Sequence, residues 1–150
     1  MYWTRIGPGV IEKAGMDGSR PVTVVAGLAG PCSITIDFHG SRLFWAEYLN
    51  NLIQSSGLDG RDVVTKAQVS NSPFGITISR QRIYWSLFSS NVMTSSTTTG
   101  GDIRTEHNGT SYIRHLMASD WNLPGNRINP CEKQTCSGIC VLALTSFRCL

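Results

Sequence analysis

An aromatic–tryptophan pair recurs three times along this 150-residue chain, as Tyr2-Trp3, Phe44-Trp45 and Tyr84-Trp85. A glycine follows each tryptophan at one fixed distance (Gly18, Gly60 and Gly100), and Pro31 and Pro73 follow the first two glycines at another. Three landmarks in constant register define a repeat of about 40 residues. A unit that short cannot bury an apolar face alone, so its copies must stack. The period suits a four-stranded propeller blade, and it also overlaps the helix pairs of HEAT and armadillo arrays.

The residues between the landmarks decide for strands. Pro31 leads into Ser33-Ile34-Thr35-Ile36-Asp37 and Pro73 into Gly75-Ile76-Thr77-Ile78, both alternating β-branched residues at period two. Arg42-Leu43-Phe44-Trp45 and Gln81-Arg82-Ile83-Tyr84-Trp85 read as second strands ending in aromatics. A third strand spans about Leu52–Leu58 and closes on Asp59-Gly60, a hairpin signal. A fourth is Asp62-Val63-Val64-Thr65. No stretch of useful length shows the 3.6-residue period of a helix. The serine- and threonine-rich stretch Thr94–Thr99 reads as a solvated hairpin, with an O-glycosylated patch as the alternative.

These residues resemble the Tyr-Trp-Thr-Asp repeats, or class B repeats, of the low-density lipoprotein receptor family. The quoted motifs are Tyr2-Trp3-Thr4-Arg5, Phe44-Trp45-Ala46-Glu47 and Tyr84-Trp85-Ser86-Leu87, with Asp-Gly turns at Asp17-Gly18 and Asp59-Gly60. The resemblance implies an all-β fold: a partial six-bladed β-propeller of about three four-stranded blades over residues 1–127. Blades fall at about 1–25, 31–65 and 73–105, with a closing strand at about 114–118. The fourth motif residue is Arg5, Glu47 or Leu87 and never aspartate, so the hydrogen bonds that aspartate makes in the family need other donors and acceptors here.

Four of the five cysteines fall in the last twenty residues, at Cys131, Cys136, Cys140 and Cys149. That density points to disulfides and an oxidising compartment. Four cysteines allow three pairings, and an x4/x3/x8 spacing suits tetrahedral zinc poorly. The spacing resembles the start of an epidermal-growth-factor-like module, which follows the propeller directly in the family. The resemblance thus implies a truncated module over 128–150 with bridges Cys131–Cys140 and Cys136–Cys149. No acidic set precedes Cys131, so no calcium is expected there. Cys32 stands alone among apolar neighbours and reads as a buried, inert thiol.

Net charge is only +3, too small to argue for nucleic acid or an anionic membrane. The sequence carries no secretory signal and no apolar run that would span a bilayer. With the cysteines, this reads as a slice of a longer secreted or membrane-anchored protein, attached to a membrane only through a span outside the slice. Such an arc leaves strand edges unpaired; the sequence leaves open whether it stands alone or two copies close one ring, and sedimentation showing only monomer would remove the second arrangement.

No nucleophile motif or phosphate loop is present, and no metal or other cofactor is expected. Asp37 and Asn71 lack the converging partners that a propeller hydrolase would need, so the chain is not expected to be an enzyme. The resemblance implies a binding module of an extracellular receptor, endocytic or signalling (Wnt co-reception being one such role). Its partners would be lipoproteins or secreted signalling proteins on one propeller face. A matrix protein of nidogen type is the alternative. Candidates on the ligand face are Glu47, Tyr48, Trp85 and Phe88, which follow or end second strands. Asn108-Gly109-Thr110 is an N-glycosylation sequon. His115, on the closing strand, is the candidate for the acid-triggered ligand release that the family implies.

Overall fold

The computed structural model describes residues 1–111, 113, 116–118, 140–142 and 147–149. Among these every regular element is a strand, and no helix is long and apolar enough to cross a membrane. The first sheet is β1 (Tyr2–Arg5), β2 (Val10–Lys13) and β3 (Val22–Val25). The second is β4 (Pro31–Asp37), β5 (Arg42–Glu47), β6 (Leu52–Gly57) and β7 (Val64–Gln68). The third is β8 (Pro73–Ser79), β9 (Arg82–Leu87), β10 (Val92–Thr97) and β11 (Arg104–Asn108). Each is an antiparallel meander in sequence order, the topology of a propeller blade. A short hairpin, β12 (Cys140–Leu142) and β13 (Phe147–Cys149), pairs Cys140 with Cys149 along the backbone. Cys131 and Cys136 lie outside the described residues, and with them the implied bridges.

The three tryptophans occupy one register position. Trp3 lies opposite Glu12, Trp45 opposite Gln54 and Trp85 opposite Thr94, each on the next strand of its own sheet. Trp45 joins Leu43 in a core with Ile11 and Val25 of the first sheet. Trp85 joins Ile76 and Ile83 in a core with Phe44, Ala46, Ile53 and Ala67 of the second. Each of these two rings therefore fills the seam to the preceding blade, where burying so large an apolar surface gives most of the cohesion. Trp45 is 0% and Trp85 1% exposed, whereas Trp3 is only half-buried.

The repeat glycines make the turns between third and fourth strands, with φ of +79° at Gly18, +85° at Gly60 and +88° at Gly100. This is the left-handed region, which glycine enters without a Cβ penalty. Gly60 and Gly100 do more. Each lays its turn on the outer strand of the preceding blade, against the carbonyl of Val24 and of Lys66 respectively. At Gly100 an added Cβ would lie 2.8 Å from the Lys66 oxygen, and at Gly60 the approach to Val24 is tighter still.

Two strand readings need correction. The fourth strand of the second blade begins at Val64 rather than Asp62. Asp62 has φ +55° and belongs to the turn, where its carbonyl accepts a hydrogen bond from Arg42 Nη2 at 2.9 Å. The Thr94–Thr99 stretch is not a solvated hairpin throughout: Thr94–Thr97 lie in β10, and Ser95 and Ser96 are fully buried. Ser55 and Ser56 hold the matching places in β6 and are equally buried. A small hydroxyl there fits a tight seam and still finds a partner, as Ser56 Oγ does on the Gly57 carbonyl at 2.8 Å.

Cys32 sits at the second seam. Its Sγ, with one S–H to donate, lies within hydrogen-bonding reach of three carbonyls, Ala46 in its own blade and Pro73 and Phe74 in the next, at 3.5, 3.3 and 3.4 Å. Burial pushes the thiol up to about 11 from its ordinary value, against smaller lowering by backbone hydrogen bonds. Thiolate is the reactive form, so Cys32 will resist a disulfide reagent at pH 8 in the folded chain and react promptly in denaturant. The native state holds this proton more tightly than the unfolded one. Its contribution to stability is therefore complete below about pH 9 and lost as pH rises through about 11. Ellman titration with and without urea checks the first point, and alkaline unfolding of Cys32→Ala against wild type checks the second.

Candidate functional site

The five connections β1–β2, β3–β4, β5–β6, β7–β8 and β9–β10 emerge at one end of the stacked blades. They are residues 6–9, 26–30, 48–51, 69–72 and 88–91, and their sequences are IGPG, AGLAG, YLNN, VSNS and FSSN. None of these residues is charged. The connections at the opposite end contain Asp17, Arg20, Asp59, Arg61, Asp62, Arg80 and Asp102. The two ends therefore suit different partners. One is a wet, charged surface, and the other offers aromatic, amide and hydroxyl groups, the chemistry enriched at protein-binding surfaces.

Backbone bonds fix the uncharged loops to one another. Tyr48 N donates to Gly30 O at 3.0 Å, Leu49 N to Ala29 O at 3.2 Å, Val69 N to Asn51 O at 2.9 Å and Phe88 N to Ser72 O at 2.7 Å. On this frame stands an aromatic cluster. Phe88 meets Tyr48 edge-on at 5.7 Å between centroids and Phe74 in a tilted contact at 5.5 Å. Tyr48 comes from the second blade and Phe74 and Phe88 from the third, so the cluster bridges their seam. Phe88 remains 41% exposed and the adjacent Leu49 66%. Leu49 lies over Gly30, where an added Cβ would stand 3.1 Å from Leu49 Cγ and where φ is +66°.

Two of the four ligand-face candidates from sequence, Tyr48 and Phe88, thus meet in space. Glu47 and Trp85 do not join them. Trp85 is seam core, because alternation along β9 turns its ring toward the second blade. Glu47 is 2% exposed and accepts bonds from Trp45 Nε1 at 3.3 Å, Ala29 N at 3.0 Å and Asn50 Nδ2 at 3.3 Å. It ties its own blade to the linker from the preceding one, so the carboxylate is occupied rather than offered. In the first blade Glu12 does part of this, accepting from Trp3 Nε1 at 2.9 Å and pairing with Arg5 at 3.1 Å. Phe74 is the member of the cluster that sequence reasoning misses. It stands one repeat after Cys32, near the start of β8, and the thiol at the equivalent place gives no signal of an aromatic.

Asn108 ends the outer strand β11 opposite Val92 and is exposed. The turn after it is held by Asn91, whose amide donates to the Gly109 carbonyl and whose carbonyl accepts from Gly109 N. His115 lies outside the described residues. Of the expected closing strand, residues 116–118 are described and carry no strand pairing. Ala118 N donates to Thr77 Oγ1 on the innermost strand of the third blade at 3.0 Å. Among the described residues no three His, Cys, Asp or Glu side chains gather to hold a metal.

Comparison with known proteins fits this geometry. The chain is 34% identical over 148 residues to the vitellogenin receptor of Solenopsis invicta, covering 95% of this chain and 8% of that receptor. It is 31% identical over 150 residues to the vitellogenin receptor Yl of Drosophila melanogaster, covering 95% and 7%. The repeats are those of the low-density lipoprotein receptor family. Human low-density lipoprotein receptor-related protein 5 is 36% identical over 76 residues, which cover 51% of the chain and 5% of that protein. The chain thus spans less than a tenth of the curated relatives it matches. No protein-family model matches it. Among solved structures, a chain of a nidogen/laminin complex superposes with a TM-score of 0.65 at 25% identity, over 69% of this chain and 42% of that one. A virginiamycin B lyase from Staphylococcus aureus superposes with a TM-score of 0.58 at 20% identity, over 74% and 38%, a likeness of fold alone. The sequence relatives in this low-density lipoprotein receptor family are receptors by name, and the lyase likeness carries no argument for catalysis.

Proposed function

We propose that the chain supplies a protein-binding propeller face to an extracellular receptor, and that its ligand is a large lipoprotein of the vitellogenin class. The observation that carries this is the asymmetry of the two ends, with an uncharged, loop-locked end bearing the Tyr48–Phe74–Phe88 cluster. Aromatic anchors in a fixed frame bind protein with little loss of side-chain entropy. The lipoprotein class is favoured over a secreted signalling ligand by extent of similarity. The match to vitellogenin receptors runs through 95% of the chain, and that to the receptor-related protein through 51%. In this reading Asn108 carries an N-glycan, and the cysteine-rich tail is disulfide-bonded in an oxidising compartment.

The test is surface binding of purified vitellogenin to the immobilised chain. Wild type should bind saturably, and Phe88→Ala or Tyr48→Ala should weaken binding by about tenfold or more, as expected of hot-spot aromatics. Arg61→Ala, on the charged end, is the control and should leave affinity unchanged. Equal loss at both ends, or no binding, would overturn the reading. Saturable binding to laminin instead would favour the matrix alternative, which the nidogen/laminin superposition supports.

A further inference from the structure

Arg42, Ser55, Asp62 and Lys66 of the second blade stand one repeat before Arg82, Ser95, Asp102 and Glu106 of the third. In the third blade this group is electrically closed. Arg82 donates through Nε and Nη2 to Ser95 Oγ at 3.1 and 2.6 Å, and through Nη1 to Asp102 Oδ2 at 2.9 Å. The Glu106 carboxylate completes it, accepting from Ser95 Oγ and lying 3.9 Å from Arg82 Nη2. In the second blade the same arginine bonds its serine and turn carbonyl, Ser55 Oγ at 3.1 Å and Asp62 O at 2.9 Å, both through Nη2. Its Nε is buried without an acceptor. Lysine replaces the glutamate, and among the described residues no carboxylate comes within 4.0 Å of either Arg42 or Lys66.

The frame that holds a carboxylate in one blade is therefore present in its neighbour with the carboxylate missing and a second cation in its place. Lys66 is the bulged residue of β7, between Thr65 opposite Gln54 and Ala67 opposite Ile53, as Glu106 is of β11, between Thr105 opposite Thr94 and His107 opposite Met93, so the two hold equivalent places in their blades. Burial, and then the Arg42 charge, lowers the Lys66 ammonium from its ordinary value. We propose that Arg42, Lys66 and the Ser55 hydroxyl form an oxyanion site for a sulfate or phosphate group, seated where Glu106 seats its carboxylate one blade further on. Arginine presents a planar fork and lysine a mobile point charge, a common pairing for tetrahedral anions. Nothing in this site depends on the aromatic end described above.

The probe is inorganic sulfate, titrated into the whole chain at constant ionic strength while the thermal unfolding midpoint is followed. A ligand that binds only the folded state raises the midpoint until the site saturates. Sulfate also stabilises proteins in general without saturating, and variants share that background. Wild type should show a saturable rise above the background. Lys66→Glu should lose it, and its midpoint in chloride should exceed that of wild type, since the variant rebuilds the closed group of the third blade. Asp62→Asn should keep the rise. A sulfated disaccharide at equal sulfate concentration separates sources: a stronger response than free sulfate assigns a sulfated glycan, and an equal one assigns the free ion. An identical sulfate response in wild type and Lys66→Glu would overturn the proposal, as would loss of the response in Asp62→Asn. Lys66→Gln, which changes one charge only, should lower sulfate affinity by about tenfold, and an unchanged affinity would also overturn it.

Discussion

Trp45→Ala will cost about 3–5 kcal/mol, the usual range for emptying a tryptophan from a packed core. The ring is wholly buried and lies between Leu43 of its own sheet and Ile11 and Val25 of the preceding one. Its loss leaves a cavity across the seam between two blades. Domains of this size hold about 5–15 kcal/mol in total, so the loss removes a large fraction of the stability and should lower the urea midpoint clearly. Trp3→Ala is the internal comparison. It stands at the same register but is only half-buried, and its loss should cost about 1 kcal/mol. Urea unfolding followed by far-ultraviolet circular dichroism measures both. Equal costs at the two positions would mean that the seams are not what these tryptophans hold.

Gly60→Ala will be the second large effect, and Gly18→Ala separates its causes. Both glycines have positive φ, near +80°, so an alanine at either adds about 1–2 kcal/mol of backbone strain. Gly18 has open space where a Cβ would go. At Gly60 the same Cβ runs into the Val24 carbonyl, backbone of another blade that cannot swing aside. The expected costs are about 1–2 kcal/mol at Gly18 and more than about 3 kcal/mol at Gly60, the difference measuring how closely two blades approach. Gly100→Ala should fall between them, because its contact with the Lys66 carbonyl is looser. Urea midpoints of the three variants, taken under one set of conditions, check the order.

Much of this fold is legible in the amino-acid sequence, because a repeat shows the same physics several times. The tryptophans, the Asp-Gly turns and the prolines announce their roles by recurring at fixed intervals, and all three tryptophans do share one register. What recurrence does not show is direction. Glu47 sits two residues after Trp45 and reads as a surface acid, yet the seam draws it in to bind the Ala29 amide and the Trp45 indole. Tyr48 and Phe88 reach the loop surface because each lies just past the end of its strand, where alternation no longer points side chains into a seam. Phe74 is hidden because it takes a place one repeat after Cys32, and a thiol gives no hint of an aromatic cluster. The arginine staples at Arg42 and Arg82 are invisible for a different reason. Their acceptors include the turn carbonyls of Asp62 and Asp102, and a backbone acceptor leaves no mark in the sequence.

The three sheets stack as consecutive propeller blades with one tryptophan locked in each described seam. Nuclear Overhauser contacts in a methyl-labelled sample test this most directly. Cross-peaks are expected from the Trp45 indole to the methyls of Ile11 and Val25, and from the Trp85 indole to those of Ile53 and Ala67. Tryptophan cross-peaks confined to each residue's own sheet would contradict it.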